Sequence, residues 1–143
     1  VPVIINALDN LPQSFDALGA RLDNAALLHE AGVTVLFTSG ETHNARKLRQ
    51  VVGNAVAHGL PHKTALAAMT SLPASLFGGI ERSLQSGSRA DLVIWSGDPL
   101  DVTSAADSVI IGGALDTMQS RQTKLLQRYL SEEPNKGRAY INP

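Results

Sequence analysis

Apolar positions in the first half of the chain fall into two alternating patterns. Val3, Ile4 and Ile5 form an uninterrupted apolar run, which predicts a buried first strand over 3–7. A turn-rich connection, DNLPQS, follows at 9–14. Leu18, Leu22, Ala25 and Leu28 then recur at helical spacing and predict a helix over 16–30, with Gly32 as its stop. Residues 33–37 repeat the strand pattern. Asn44 is expected to cap the next helix, where Leu48, Val51, Val52, Ala55 and Val56 form an apolar stripe that ends at Gly59. Pro61 opens a short helix with Ala65, Leu66 and Met69 on one face, and SLPASLFGG adds a further turn or two. Strand–helix–strand–helix with fully apolar strands implies an α/β architecture of parallel strands covered by helices. Two such units do not close a sheet by themselves.

After Gly78-Gly79 the pattern changes. IERSL is a short strand candidate, QSGSR a turn, and ADLVIWSGDP a strand that stops at a Gly-Asp-Pro turn. DSVIIGG is another short strand. From Leu115 onward, Met118, Gln122, Leu125, Leu126 and Tyr129 trace a mostly apolar helical stripe, and the polar tail SEEPNKGRAYINP is expected on the surface.

Composition narrows the function. At 143 residues, 43% apolar and 17% charged, the chain fits one ordinary globular domain or two small packed units. A net charge of −1 and 4% aromatic residues argue against a nucleic-acid partner. No apolar run approaches the ~20 residues of a membrane span, so no membrane partner is expected. Without cysteine there is no disulfide, thiolate metal site or Cys nucleophile. The chain opens without Met, directly in a strand pattern, which suggests a piece of a longer protein.

The ordered stretch ALAAMTSLPASLFGGIERSLQSGSRADLVIWSGDPL, 65–100, resembles the C-terminal signature of the metal-dependent amidohydrolase superfamily. The matches include Thr70, Pro73, Ala74, Gly78, Gly87, Ala90, Asp91, Leu92, Val93, Gly97, Asp98, Pro99 and Leu100. EAGVTVLFTSG looks like that family's last barrel strand, and the likeness, closest to the imidazolonepropionase-like branch, extends over residues 1–113. The motif residues also have plain roles: Gly87 permits a tight turn, Asp98-Pro99 starts one, and Asp91 reads as a satisfied turn or cap carboxylate.

The resemblance implies a (β/α)8 barrel with its site at the C-terminal strand ends and a small β-sandwich built from both chain termini. Residues 1–78 would be the last two strand–helix units, 79–113 the C-terminal half of the sandwich, and 114–143 a C-terminal helix and tail. It further implies a divalent metal, zinc foremost, in the full-length protein. The family's metal is held chiefly by histidines on earlier strands, including a His-x-His pair. No His-x-His occurs among the four histidines here, so no metal is expected in this fragment alone. Open strand edges lead us to expect a homo-oligomer, or pairing with the missing N-terminal part.

The family's last strand usually ends in an Asp that ligates metal and acts as general base. Aligning GVTVLFTSG on that pattern puts Gly40 at the Asp position. Three readings follow. Glu41 supplies the carboxylate through a shifted loop; His43 acts as base or ligand, as imidazole does near neutral pH; or the base is lost. Glu41 also suits a bland role, an anion before a helix N-terminus, and His43 one as a polar loop residue. Asp9, after the first strand, and Ser39, at the end of the second, are candidate substrate contacts, although Asp9 also suits its local turn. His29, His58 and His62 read as surface or helix-end residues, and Arg46, Lys47 and Arg49 as a solvated basic cluster.

Two functions stand against each other at this point. One is an enzyme fragment, from a hydrolase of non-peptide carbon–nitrogen bonds in a small cyclic amide or related substrate. The other is a non-catalytic amidohydrolase-like domain used for binding or assembly, which Gly40 favours. An unrelated α/β binding module is a third, disfavoured by the ordered signature.

Overall fold

The computed structural model describes residues 1–79 and 83–130. The first strand, β1 (Val3–Ile5), and the second, β2 (Val35–Phe37), pair in parallel, with Val3 opposite Val35 and Ile5 opposite Phe37. Between them runs helix α1 (Asn24–Glu30). Three helices follow β2: α2 (Leu48–Ala57), α3 (His62–Met69) and α4 (Ser71–Leu76). The apolar stripe of α2 behaves as its spacing predicts. Val51, Val52 and Ala55 are buried, and Leu48 and Val56 pack against the same cluster with Leu60 and Ala65.

The strands are less symmetrical than their sequences suggest. Val35 and Leu36 of β2 are buried, as a strand covered on both faces requires. Val3 and Ile4 of β1 are exposed, because no further strand lies beyond β1 among the described residues.

Two helix starts in the first half of the chain differ from expectation. The helix expected over 16–30 begins only at Asn24 and is preceded by a single 3-10 turn, Phe15–Ala17. Gly19 costs a helix interior about 1 kcal/mol relative to Ala. Arg21 also folds back onto Asp23 through two hydrogen bonds of 2.8 and 2.6 Å, which fixes a local turn instead. Leu18, counted in the expected stripe, is exposed. Asn44 is not the N-cap of α2. It lies inside a 3-10 turn, Thr42–Lys47, and the Glu41 carbonyl takes its N–H at 2.9 Å.

The last part of the chain forms a three-stranded antiparallel sheet of β3 (Leu92–Trp95), β4 (Ala106–Ile111) and β5 (Ala114–Leu115). β5 takes the place of the start of the expected helix. Gly112 and Gly113 both have positive φ, +58° and +83°, which is the backbone of a tight two-residue hairpin. The helix, α5, covers Arg121–Leu130, and its apolar residues Leu125, Leu126, Tyr129 and Leu130 are exposed. The IERSL strand candidate falls largely outside the described residues, as does the polar tail.

The two sheets meet through residues 97–104, a strap laid across α2. Leu100 of the strap is buried in the main cluster beside Ala7, Val51 and Leu60. Gly53 makes this approach possible, since a Cβ there would run into the Leu100 carbonyl oxygen. Gly53→Ala is therefore expected to lower stability by about 1–3 kcal/mol, as overpacking does. A denaturant titration checks this, with the midpoint shifted and the slope unchanged.

Candidate functional site

Because β1 and β2 run parallel, the loops that follow them emerge at the same end of the sheet. After β1, Asn6 turns the chain. Its side-chain oxygen accepts the Leu8 N–H at 3.2 Å, its carbonyl accepts the Asp9 N–H at 3.1 Å, and its amide donates to an Asp9 carboxylate oxygen at 2.6 Å. Asp9 is thus exposed but held at one oxygen.

After β2, the Thr38 hydroxyl accepts the Gly40 N–H at 3.1 Å and the Ser39 hydroxyl donates to the Glu41 carbonyl at 3.3 Å. Gly40 has φ +79°, the left-handed region that disfavours a side chain. The two loops approach each other here: a Cβ on Gly40 would sit 3.7 Å from the Asn6 amide nitrogen, an ordinary contact. Space alone therefore does not account for the missing side chain; the backbone conformation does.

Asp9, Ser39 and Gly40 are brought to one end of the sheet. Glu41 is exposed and extended, at φ −116° and ψ 140°, and precedes the 3-10 turn without bonding to it through its side chain. His43 is exposed within that turn. Among the described residues no three His, Cys, Asp or Glu side chains gather as a metal-holding group. The described residues thus do not form a metal centre of their own.

The remaining histidines occupy helix ends or join helices. His58 donates through Nδ1 to the Asn54 carbonyl at 2.7 Å, and His29 meets the Thr64 hydroxyl at 3.5 Å. Asp91 accepts the Gly112 N–H at 2.7 Å and pairs with Arg89 at 3.0 Å, a turn-closing carboxylate as its position suggested. His62 has a larger part than a helix-end residue. At the start of α3 its Nε2 meets both Asp98 oxygens, at 2.9 and 2.8 Å.

Arg49 departs furthest from expectation. Arg46 and Lys47 are exposed, but Arg49 is half-buried and donates to three strap carbonyls: Pro99 at 2.7 Å, Asp101 at 2.7 Å and Ser104 at 3.0 Å. Its guanidinium also lies 4.2 Å from the centre of the Trp95 ring, a cation–π contact. One signal in the sequence could have found it. Gly53 lies one helical turn from Arg49 on the same face, and a glycine inside a helix despite its cost there points to close packing on that face.

The His62 contact, and then the Leu100 N–H at 2.8 Å, hold the Asp98 carboxyl below its usual range. The folded chain therefore takes up that proton at lower pH than the unfolded one. The resulting stability is present above the ordinary Asp value of about 3.9 and is lost as pH falls through the lower folded value. Asp98→Asn should remove this part of the acid sensitivity, so melting temperatures of variant and wild type should converge as pH falls below about 4.

No family model matches the chain. It is 30% identical over 115 residues to the amidohydrolase tasK of Hapsidospora irregularis, an alignment covering 78% of this chain and 12% of that protein. It is also similar in structure to an amidohydrolase from Thermotoga maritima MSB8, with a TM-score of 0.68 and 24% identity, covering 80% of this chain and 31% of the other. The likeness to amidohydrolases thus holds in both sequence and fold, and in each case this chain spans less than a third of its relative.

Proposed function

We propose that this chain is the C-terminal portion of a metal-dependent amidohydrolase that cleaves a non-peptide carbon–nitrogen bond in a small cyclic amide or related substrate. In this reading residues 1–78 are the last two strand–helix units of a (β/α)8 barrel, 79–113 half of a composite β-sandwich, and 114–143 a C-terminal helix and tail. The observation that carries it is the parallel β1–β2 pair, with Asp9, Ser39 and Glu41 on the two loops at its C-terminal end. Barrel enzymes build their sites from such loops. The ordered signature over 65–100 supports the imidazolonepropionase-like branch, and the amidohydrolase relatives support the class.

Hydrolysis needs a group that takes a proton from water as the amide carbon is attacked. Glu41 and His43 are the candidates on this chain, while Asp9 and Ser39 contact the substrate. Asp9 would accept an N–H, and so would the Ser39 oxygen, whose own proton goes to the Glu41 carbonyl. A divalent metal, zinc foremost, would polarise the amide and acidify the water; in this reading it is held chiefly by histidines from earlier strands, with His43 as a further candidate ligand.

One observation favours the non-catalytic alternative. Gly40, where the resemblance expects a carboxylate, lies in the left-handed region, so the loop is built around a residue without a side chain. Gly40→Asp should accordingly cost about 1 kcal/mol of stability, read from a shifted denaturation midpoint.

The deciding experiment assays the full-length protein on a panel of lactams, cyclic ureas and cyclic imides. Wild type should hydrolyse at least one, and Glu41→Gln should reduce kcat by about 10²–10⁴-fold. Unchanged activity in that variant with a loss in His43→Gln would transfer the base role to His43. A wild type inert on the whole panel would sink the enzyme reading in favour of the binding one.

A further inference from the structure

The candidate site residues lie on two loops, and one segment touches the roots of both. Leu100 of the 97–104 strap is buried with Ala7, two residues before Asp9. Leu100 and Asp101 also share the wall of a cavity of about 290 Å³ with Leu8. On the other side, Arg49 in the first turn of α2 donates to the three strap carbonyls described above. α2 continues directly from the 3-10 turn that follows Glu41 and contains His43, with the Leu48 N–H bonded to the Ala45 carbonyl.

That helix start is otherwise weakly held. Neither Glu41 before the 3-10 turn nor Lys47 before α2 makes a side-chain capping bond, and no acidic residue lies in the first turn of either. A 3-10 turn has poorer hydrogen-bond geometry than an α-helix, and an uncapped helix start frays. Besides the packing of Leu48 on the core, the Arg49 fork is what fixes it, with His62 and Asp98 holding the strap from the side of α3.

We infer that Arg49 is a positioning residue for the candidate site: by clamping the start of α2 to the strap, it sets the loop that carries Glu41 and His43. The role in catalysis rests on the hydrolase reading above; the mechanical coupling does not. Arg49 acts through the 3-10 turn and touches no substrate. Loosening the strap from its far side, at Asp98, releases the same loop without altering any residue of α2.

Hydrogen exchange followed by mass spectrometry on the full-length protein tests this in wild type, Arg49→Ala and Asp98→Asn. The amides of residues 41–48 should exchange about tenfold faster in both variants, with those of α3 beyond its first turn unchanged. On a hydrolysed substrate kcat should fall by about tenfold or more while KM changes little, as misplacement of a reacting group predicts. Faster exchange confined to 97–104 would overturn the inference. If Arg49→Ala unfolds, the milder Asp98→Asn decides. A wild type without hydrolase activity would count against the proposed function and leave the exchange result standing.

Discussion

The guanidinium of Arg49 joins the parts of this molecule. It reaches from the first turn of α2 to three carbonyls of the 97–104 strap and covers the Trp95 ring. The carbonyls of half-buried Pro99 and Ser104 and of exposed Asp101 converge on this one side chain, and bonds to a charged donor are stronger than neutral ones. Lysine could not replace it, because an ammonium lacks both the planar fork and the flat face that stacks on indole. Gly53 and Leu100 complete the joint. The glycine lets the strap backbone approach α2, and the leucine enters the core that α2, α3 and the β1 loop share. The antiparallel sheet of β3–β5 is held against the helices through this joint.

The strand ends are arranged differently. They are polar, exposed and held mostly by local bonds, as loops that meet a ligand tend to be. Asn6 orients Asp9, Thr38 closes the turn at Gly40, and the two loops come within contact distance where Asn6 faces Gly40. The backbone at Gly40 is left-handed, and the first carboxylate on the β2 loop is that of Glu41, where the chain is extended before a 3-10 turn.

Much of this was legible in the sequence where packing follows periodicity. The α2 stripe, the parallel strand pair and the Gly-Asp-Pro turn with its Asp98 acceptor all appear as their spacing implies. The stripe at 18–28 misled because local bonding between Arg21 and Asp23, together with Gly19, outweighed it. The strap was invisible for a related reason: its contacts join residues about 50 positions apart, which no local pattern encodes. Arg49, grouped with Arg46 and Lys47 as surface charge, shows how a long-range partner changes the meaning of a cation. Of the candidate site, Asp9 and Ser39 emerge at one strand end as expected. Glu41 and His43 stand exposed on the β2 loop and its 3-10 turn, with no side-chain partner among the described residues that assigns either a role.

An experimental structure of the full-length protein would show what covers the β1 edge and what lies above the strand ends. If the chain completes a barrel, β1 pairs along its open edge with a strand from elsewhere in the protein, covering Val3 and Ile4. Asp9, Ser39 and Glu41 then line one cavity at the C-terminal ends of a closed parallel sheet, alongside histidines from other strands. A β1 edge left in solvent, or strand ends buried under a helix with no cavity above them, would contradict the barrel reading.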